Sequence, residues 1–190
     1  MLDHARYLRR AAQLPDALAL WQAEGAAAQA AIRATEPNRM PIFWAERSLL
    51  ARALLATGDA KGAYALCDAA GQTAPVAVAD AEFLAGFIAL RKLNDPAAAL
   101  AHFRKLAEVS KAAITQARSW YWQGRAEAAA GHDPQPDYRK AAAWPTTFYG
   151  QLAALALGDD AAALARRIDA LHDPAWTHTA VLDFTAHEVV

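Results

Sequence analysis

An all-α fold, a right-handed superhelix of stacked helix hairpins, follows from three features of this 190-residue sequence. The first is a turn signal between apolar helical stretches. It reads Thr57-Gly58-Asp59, then Leu93-Asn94-Asp95-Pro96, then Gly131-His132-Asp133-Pro134, with the aspartates 36 and 38 residues apart. Gly or Asn lets a helix end in a left-handed residue, Asp accepts the free amides of the next helix, and Pro fits that helix's first turn. The second is composition: 53 residues are Ala, the best helix former and one small enough for close helix packing. The third is the near absence of strand pattern, since β-branched runs such as 76–78 sit inside Ala-rich windows. A period of this length marks a solenoid of helix pairs.

Residues 2–12 and 15–34 read as the opening helices, the second carrying Leu18, Trp21 and Ile32 and weakened by Gly25. Glu36-Pro37-Asn38-Arg39-Met40-Pro41 reads as a loop, because two prolines four residues apart oppose helix between them. Regular pairs follow: 42–56 with 59–70, 76–93 with 95–109, and 112–130 with 133–143. Each Asp is expected to open the second helix of its hairpin. A shorter pair covers 147–157 and 159–171, its Gly158-Asp159 turn coming only 26 residues after Asp133. A last helix is expected from Asp173-Pro174. The whole chain, 1–190, is read as one repeat domain, less regular over 1–40. Residues 184–190 keep a helical pattern with no stop signal, so the chain is expected to be a piece of a longer protein.

Bulk properties narrow the function. A net charge of -1 argues against a general attraction to nucleic acid, and the basic doublets beginning at Arg9, Arg91, Arg104, Arg139 and Arg166 read as solvated helix faces. Cys67 is the only cysteine, so neither an intrachain disulfide nor a CxxC motif exists, and its Ala-Leu-Cys context predicts a small buried hydrophobe. The N-terminus lacks the pattern of a secretory signal, and no apolar run is long enough to span a bilayer.

Laying the second regular pair over the third puts Phe83-Leu84-Ala85-Gly86 on Tyr121-Trp122-Gln123-Gly124 and Phe103-Arg104-Lys105 on Tyr138-Arg139-Lys140. A bulky residue and a Gly at the crossing of the first helix, answered by an aromatic in the second, is a tetratricopeptide-like layout, although the strict consensus is not met.

Four stretches carry a family resemblance: Ala81 to Leu90; Ala101-His102-Phe103; Ala117 to Ala126; and Pro145-Thr146-Thr147-Phe148-Tyr149-Gly150-Gln151-Leu152-Ala153. Over about 43–157 the sequence resembles the helical superdomain of soluble lytic murein transglycosylases, and the Pro-Thr-Thr-Phe-Tyr-Gly-Gln stretch is the most specific element. The resemblance implies a periplasmic protein in which a curved stack of hairpins precedes a lysozyme-like domain. That domain cleaves peptidoglycan glycan strands with one Glu as acid and base. The family's catalytic Glu-Ser and its Gly-Leu-Met-Gln stretch are nowhere in this sequence. The expectation is a non-catalytic scaffold that shapes glycan access, with glycan strands or the missing catalytic domain as partners. An independent adaptor that binds a peptide or another protein in a groove is the alternative.

Candidate site residues divide by chemistry. Glycosidic cleavage needs a carboxyl of raised pKa at the scissile bond; Glu46, Glu82, Glu108 and Glu127 lie in expected helices, with no second acid or Ser evident beside Glu82 or Glu127. No catalytic residue and no cofactor are therefore assigned. The Trp residues invite sugar stacking, but Trp21, Trp44, Trp144 and Trp176, placed singly at helix ends or turns, fit wedges between repeats better. Trp120, Tyr121 and Trp122 cannot all face one way on a helix. Ligand or partner contact is accordingly assigned to Trp120, Trp122, Phe148, Tyr149 and Gln151, against a competing reading of the last three as an inter-repeat lock. Asp183 and His187 share a helix face, but His178 lies off it, so no metal site is assigned.

Overall fold

The computed structural model describes residues 1–68 and 70–171 and is all-helical there. The expected helix from Asp173, Trp176 and the grouping of His178, Asp183 and His187 lie outside the described residues. The elements are α1 (Leu2–Arg10), α2 (Leu14–Thr35), α3 (Met40–Ala56), α4 (Ala60–Asp68), α5 (Pro75–Arg91), α6 (Pro96–Val109), α7 (Ala113–Ala129), α8 (Gln135–Ala142), α9 (Phe148–Ala156) and α10 (Ala161–Asp169). Each helix from α1 to α8 packs on the next in sequence. In addition α3 touches α5, α5 touches α7, and α7 touches α9. First helices of successive hairpins therefore form one layer, with the intervening helices α4, α6 and α8 packed against them.

The turns are built as their chemistry requires. Gly58, Asn94, Gly131 and Gly158 all have positive φ. After α3, α7 and α9 the same pair of backbone bonds closes the helix: Gly58 N–H donates to Leu55 and Asp59 N–H to Leu54, and this pattern repeats at Gly131/His132 and Gly158/Asp159. The α1–α2 turn has identical bonding, with Ala12 N–H on Arg9 and Gln13 N–H on Leu8, yet its left-handed residue is Ala12, at φ 57°.

Two of the expected caps fall in place: the Asp59 carboxylate accepts from Gly62 N–H at 2.8 Å and Asp95 from Ala98 N–H at 2.9 Å. The other two move. Helix α8 starts at Gln135, so Asp133 accepts instead from Gln135 N–H, two residues on, at 3.0 Å. Asp160, not Asp159, caps α10 through Ala163 N–H, while Asp159 pairs with Arg167. The expected 36–41 loop is also tighter than its prolines imply. Pro37–Arg39 makes a 3-10 turn and Pro41 sits within the first turn of α3, where its missing N–H costs nothing. Gly25 does not interrupt α2; it is buried, and a Cβ there would come within 2.8 Å of the Trp21 ring. Trp21 itself is mid-helix in α2, not at an end.

The crossings hold the stack together. A Cβ on Gly86 would lie 2.6 Å from Cε1 of Phe103, and one on Gly124 would lie 2.6 Å from Cε1 of Tyr138. Both second-helix aromatics thus fill the space that a missing side chain leaves, and Phe103 is fully buried. A polar tie fixes α7 on α6: Ser119 Oγ donates to the Phe103 carbonyl at 2.6 Å and receives Gln123 Nε2 at 3.0 Å. At the other end, α1 docks on α3 through the buried Glu46, which accepts from Arg9 Nε at 2.5 Å and lies 3.4 Å from Arg6 Nε. Arg9 therefore belongs to an interface, unlike the solvated face expected of its doublet. Cys67 is buried as expected, and burial pushes its thiol pKa up to about 12.

Candidate functional site

The first-helix layer carries a chain of aromatic rings. Helix periodicity places positions 118, 121, 122 and 125 of α7 on one broad face. There Trp122 meets Phe87 of α5 at a ring-centroid distance of 5.4 Å and Phe83 at 6.1 Å, and its neighbour Tyr121 lies 5.8 Å away. Tyr121 contacts Tyr149 of α9 at 5.6 Å, and Tyr149 contacts Phe148 at 5.1 Å. Phe83, Phe87, Trp122 and Tyr149 are half-buried, while Phe148 is 68% exposed. Guanidinium groups lie over this strip: Arg118 is 4.4 Å from the Phe83 ring centre, and Arg125 is 5.8 Å from that of Trp122 while donating to the Tyr121 hydroxyl at 3.1 Å. Such stacking leaves the cation's edge free to donate.

Beside the strip, towards α3, lies a cleft of about 500 Å³. Pro41, Trp44, Pro75, Val76, Asp80 and Arg118 line it. Trp44 Nε1 donates to Asp80 at 2.8 Å and Arg52 lies 3.8 Å from the same carboxylate, so the floor is rigid. Val76, 84% exposed, stands at its rim.

The five residues assigned from sequence do not share one surface. Trp122, Tyr149 and Phe148 belong to the strip, and Gln151 is half-buried on the same α9. Trp122 is wedged against Phe83, Phe87 and Phe103, which leaves only part of its ring reachable. Trp120, two residues earlier and so about 200° round the helix, faces a charged cleft of about 460 Å³ between α6, α7 and α8. Its ring is already covered by Lys140 Nζ at 4.0 Å and its Nε1 is held by Gln116 at 3.1 Å. Sequence reasoning missed Phe83, Phe87, Arg118 and Arg125. The available signal was the superposition of Phe83-Leu84-Ala85-Gly86 on Tyr121-Trp122-Gln123-Gly124, which put Phe83 at the place of Tyr121 but gave no sign of Phe87, Arg118 or Arg125.

The acidic candidates need one correction. Glu82 does have a second carboxylate nearby, reached through His102, which is 3% exposed. His102 Nδ1 lies 2.6 Å from Glu82, and its Nε2 lies 2.9 Å from the Tyr64 hydroxyl and 3.3 Å from Asp68. Burial, followed by the charges of Asp68, Asp95 and Glu82, pushes the Tyr64 pKa up. These groups come from α4, α5 and α6, so the network fastens three helices. Glu127 is held by His132 at 2.7 Å and Arg104 at 3.4 Å. Among the described residues no group of three His, Cys, Asp or Glu side chains is arranged to hold a metal ion, and no helix is long and apolar enough to cross a membrane.

The Pro-Thr-Thr-Phe-Tyr-Gly-Gln stretch makes the α8–α9 junction. Thr147 caps α9 by accepting from Gly150 N–H at 3.0 Å while donating to the Trp144 carbonyl at 2.8 Å. Gly150 packs so closely on that carbonyl that no side chain fits there. Compared with known proteins, the chain matches no family model, no curated protein and no solved structure.

Proposed function

We propose that this chain is the non-catalytic helical scaffold of a peptidoglycan lytic transglycosylase, in which the first-helix face guides a glycan strand to a catalytic domain lying outside these 190 residues. The observation that carries the proposal is the aromatic strip from Phe83 to Phe148 with Arg118 and Arg125 across it. Sugar faces stack on such rings, and guanidinium edges donate to hydroxyl and carboxylate oxygens. The choice of family rests on the resemblance at Pro145 to Gln151 and on the hairpin layout, and it carries a periplasmic location with it.

The test is cosedimentation of the purified chain with isolated sacculi. Phe148 is exposed, so Phe148→Ala leaves the fold intact, and its retention is expected to fall several-fold. Unchanged retention in Phe148→Ala together with Arg125→Gln, or no retention of the wild-type chain, refutes the glycan face.

A second reading is favoured by the rigid cleft at Trp44, Asp80 and Arg118, whose mixed charge and proline-lined wall fit an extended peptide. It makes the chain an adaptor. It predicts a complex with one protein partner that Arg118→Gln weakens, with no affinity for sacculi.

A further inference from the structure

Between α2, α3 and α4 sits a cation with no carboxylate among the described residues to neutralise it. Arg47 is 7% exposed, and its Nη1 is engaged by neutral oxygens only: Gln29 Oε1 at 2.5 Å and the Ala70 carbonyl at 3.4 Å. Gln29 in turn donates to that carbonyl at 2.7 Å, which fixes the guanidinium plane. Among the described residues no Asp or Glu pairs with Arg47. Its Nε is enclosed without a partner. Nη2, on the same edge, makes no hydrogen bond to the described residues.

A second orphan lies alongside. The Trp21 indole Nε1 is also enclosed and has no partner among the described residues, and the Trp21 ring centre is 5.2 Å from the Arg47 guanidinium carbon. Both residues line a cleft of about 340 Å³, with Gln22, Leu66 and, at the rim, Arg33. Arg33 is steered there by donating to the Gly71 carbonyl at 2.6 Å. Among the described residues the lining holds two arginines and no carboxylate. Native proteins seldom leave buried donors unpaired, and an uncompensated buried charge is costlier still. Water answers the hydrogen bonds but not the charge.

We propose that this cleft is a binding site for a small organic carboxylate, which accepts from Nη2 of Arg47 while its apolar body rests against Trp21 and Leu66. A charge-assisted bond from Nη2 to a carboxylate answers the buried charge, and the cleft is large enough for a short-chain or single-ring body and not only for a bare ion. Arg33 supplies a second, exposed cation at the mouth. The site is separate from the aromatic strip, so its failure would leave the sacculus experiment untouched.

The test is titration of the full chain with benzoate at fixed ionic strength, following the indole N–H resonance of Trp21, assigned with Trp21→Phe. A saturable shift is expected, with half-saturation on the order of 1 mM or below. Benzamide, the same shape without the charge, is expected to bind at least about tenfold more weakly, because its carbonyl still accepts but brings no negative charge to the guanidinium. Arg33→Gln, at an exposed position that leaves the fold intact, should weaken benzoate about threefold or more. Arg47→Met should abolish the shift while keeping the helical spectrum; where that variant does not fold, the benzamide and Arg33→Gln arms decide. No saturable shift with benzoate overturns the site, as does benzamide binding equal to benzoate. Inorganic phosphate binding as tightly as benzoate overturns the carboxylate assignment.

Discussion

Substituting Gly86 by Ala separates two opposed effects that the structure allows to be weighed. In a solvated helix this change adds about 1 kcal/mol of stability, because Gly has the greater backbone freedom to lose. In α5 the new Cβ would stand 2.6 Å from Cε1 of Phe103 and 2.9 Å from its Cδ1 and Cζ. Relief requires the ring to move, and the ring is confined. Phe103 is fully buried, with Trp122 at 5.8 Å and Phe83 at 6.4 Å between ring centres, and its carbonyl is tied to Ser119. Overpacking a confined core position costs about 1–3 kcal/mol, and confinement on three sides argues for the upper part of that range. The helix-propensity gain then leaves a net loss of about 1–2 kcal/mol.

Urea unfolding followed by helical circular dichroism reads this loss directly. With a slope of about 2 kcal/mol/M, the midpoint of Gly86→Ala should fall by about 0.5–1 M. Phe103→Leu, which removes the ring edge, supplies the control for mechanism. Gly86→Ala should cost less in the Phe103→Leu background than in the wild type, by about 1 kcal/mol. A raised midpoint for Gly86→Ala, or strict additivity in the double variant, would refute the crossing as the reason for this glycine.

Two other perturbations follow from backbone and burial. Ala12 occupies the left-handed slot that Gly fills after α3, α7 and α9, and it is exposed; Ala12→Gly should therefore stabilise the chain by roughly 0.5–1 kcal/mol, the left-handed penalty of Ala exceeding the entropy cost of Gly. A lowered urea midpoint would contradict this. Cys67 has its thiol pKa raised from 9.0 to about 12 by burial, so the folded state holds this proton more tightly than the unfolded chain does. The associated stability is complete below about pH 9 and is lost as pH rises towards 12, by up to about 1.4 kcal/mol per pH unit. Unfolding midpoints between pH 8 and 10.5 should fall more steeply for the wild type than for Cys67→Ala, and parallel slopes would show that the thiol does not titrate against folding.

The hairpin rhythm was legible wherever a local conformation admits few residue types. Gly58, Asn94, Gly131 and Gly158 announce left-handed turns, and Asp59 and Asp95 announce caps, because the chemistry lies within four residues of chain. The α1–α2 turn was not announced, since Ala12 carries no such signal. The cap at Asp160 reflects a choice between adjacent aspartates that is made by where α10 must start to pack, and the later start of α8 leaves Asp133 on Gln135 N–H. The pairs Gly86–Phe103 and Gly124–Tyr138 were visible through repetition, one crossing vouching for the other. Arg47, in contrast, is an ordinary helical arginine in sequence. Only the approach of α2 and the Ala70 carbonyl encloses it, and nothing in a linear pattern encodes that enclosure. Likewise the direction of Trp120 away from Trp122 follows from helix geometry, but which of the two meets Phe83 depends on where α5 lies.

The compressed spacing after Asp133 ties the most specific stretch of the sequence to the aromatic strip. Helix α8 has 8 residues where α6 has 14, so the chain must turn early. Thr147 and Gly150 make that turn possible, one as cap and the other by letting α9 rest on the Trp144 carbonyl. With the turn so tight, α9 packs on α7 as well as on α8, and this packing sets Tyr149 against Tyr121. A longer α8 or a bulkier residue at position 150 would carry Tyr149 and Phe148 away from the row that starts at Phe83. The Pro-Thr-Thr-Phe-Tyr-Gly-Gln stretch thus has a structural reason for its residue types, independent of any ligand. Its Thr and Gly place its aromatics, and its aromatics extend the surface proposed to meet the glycan.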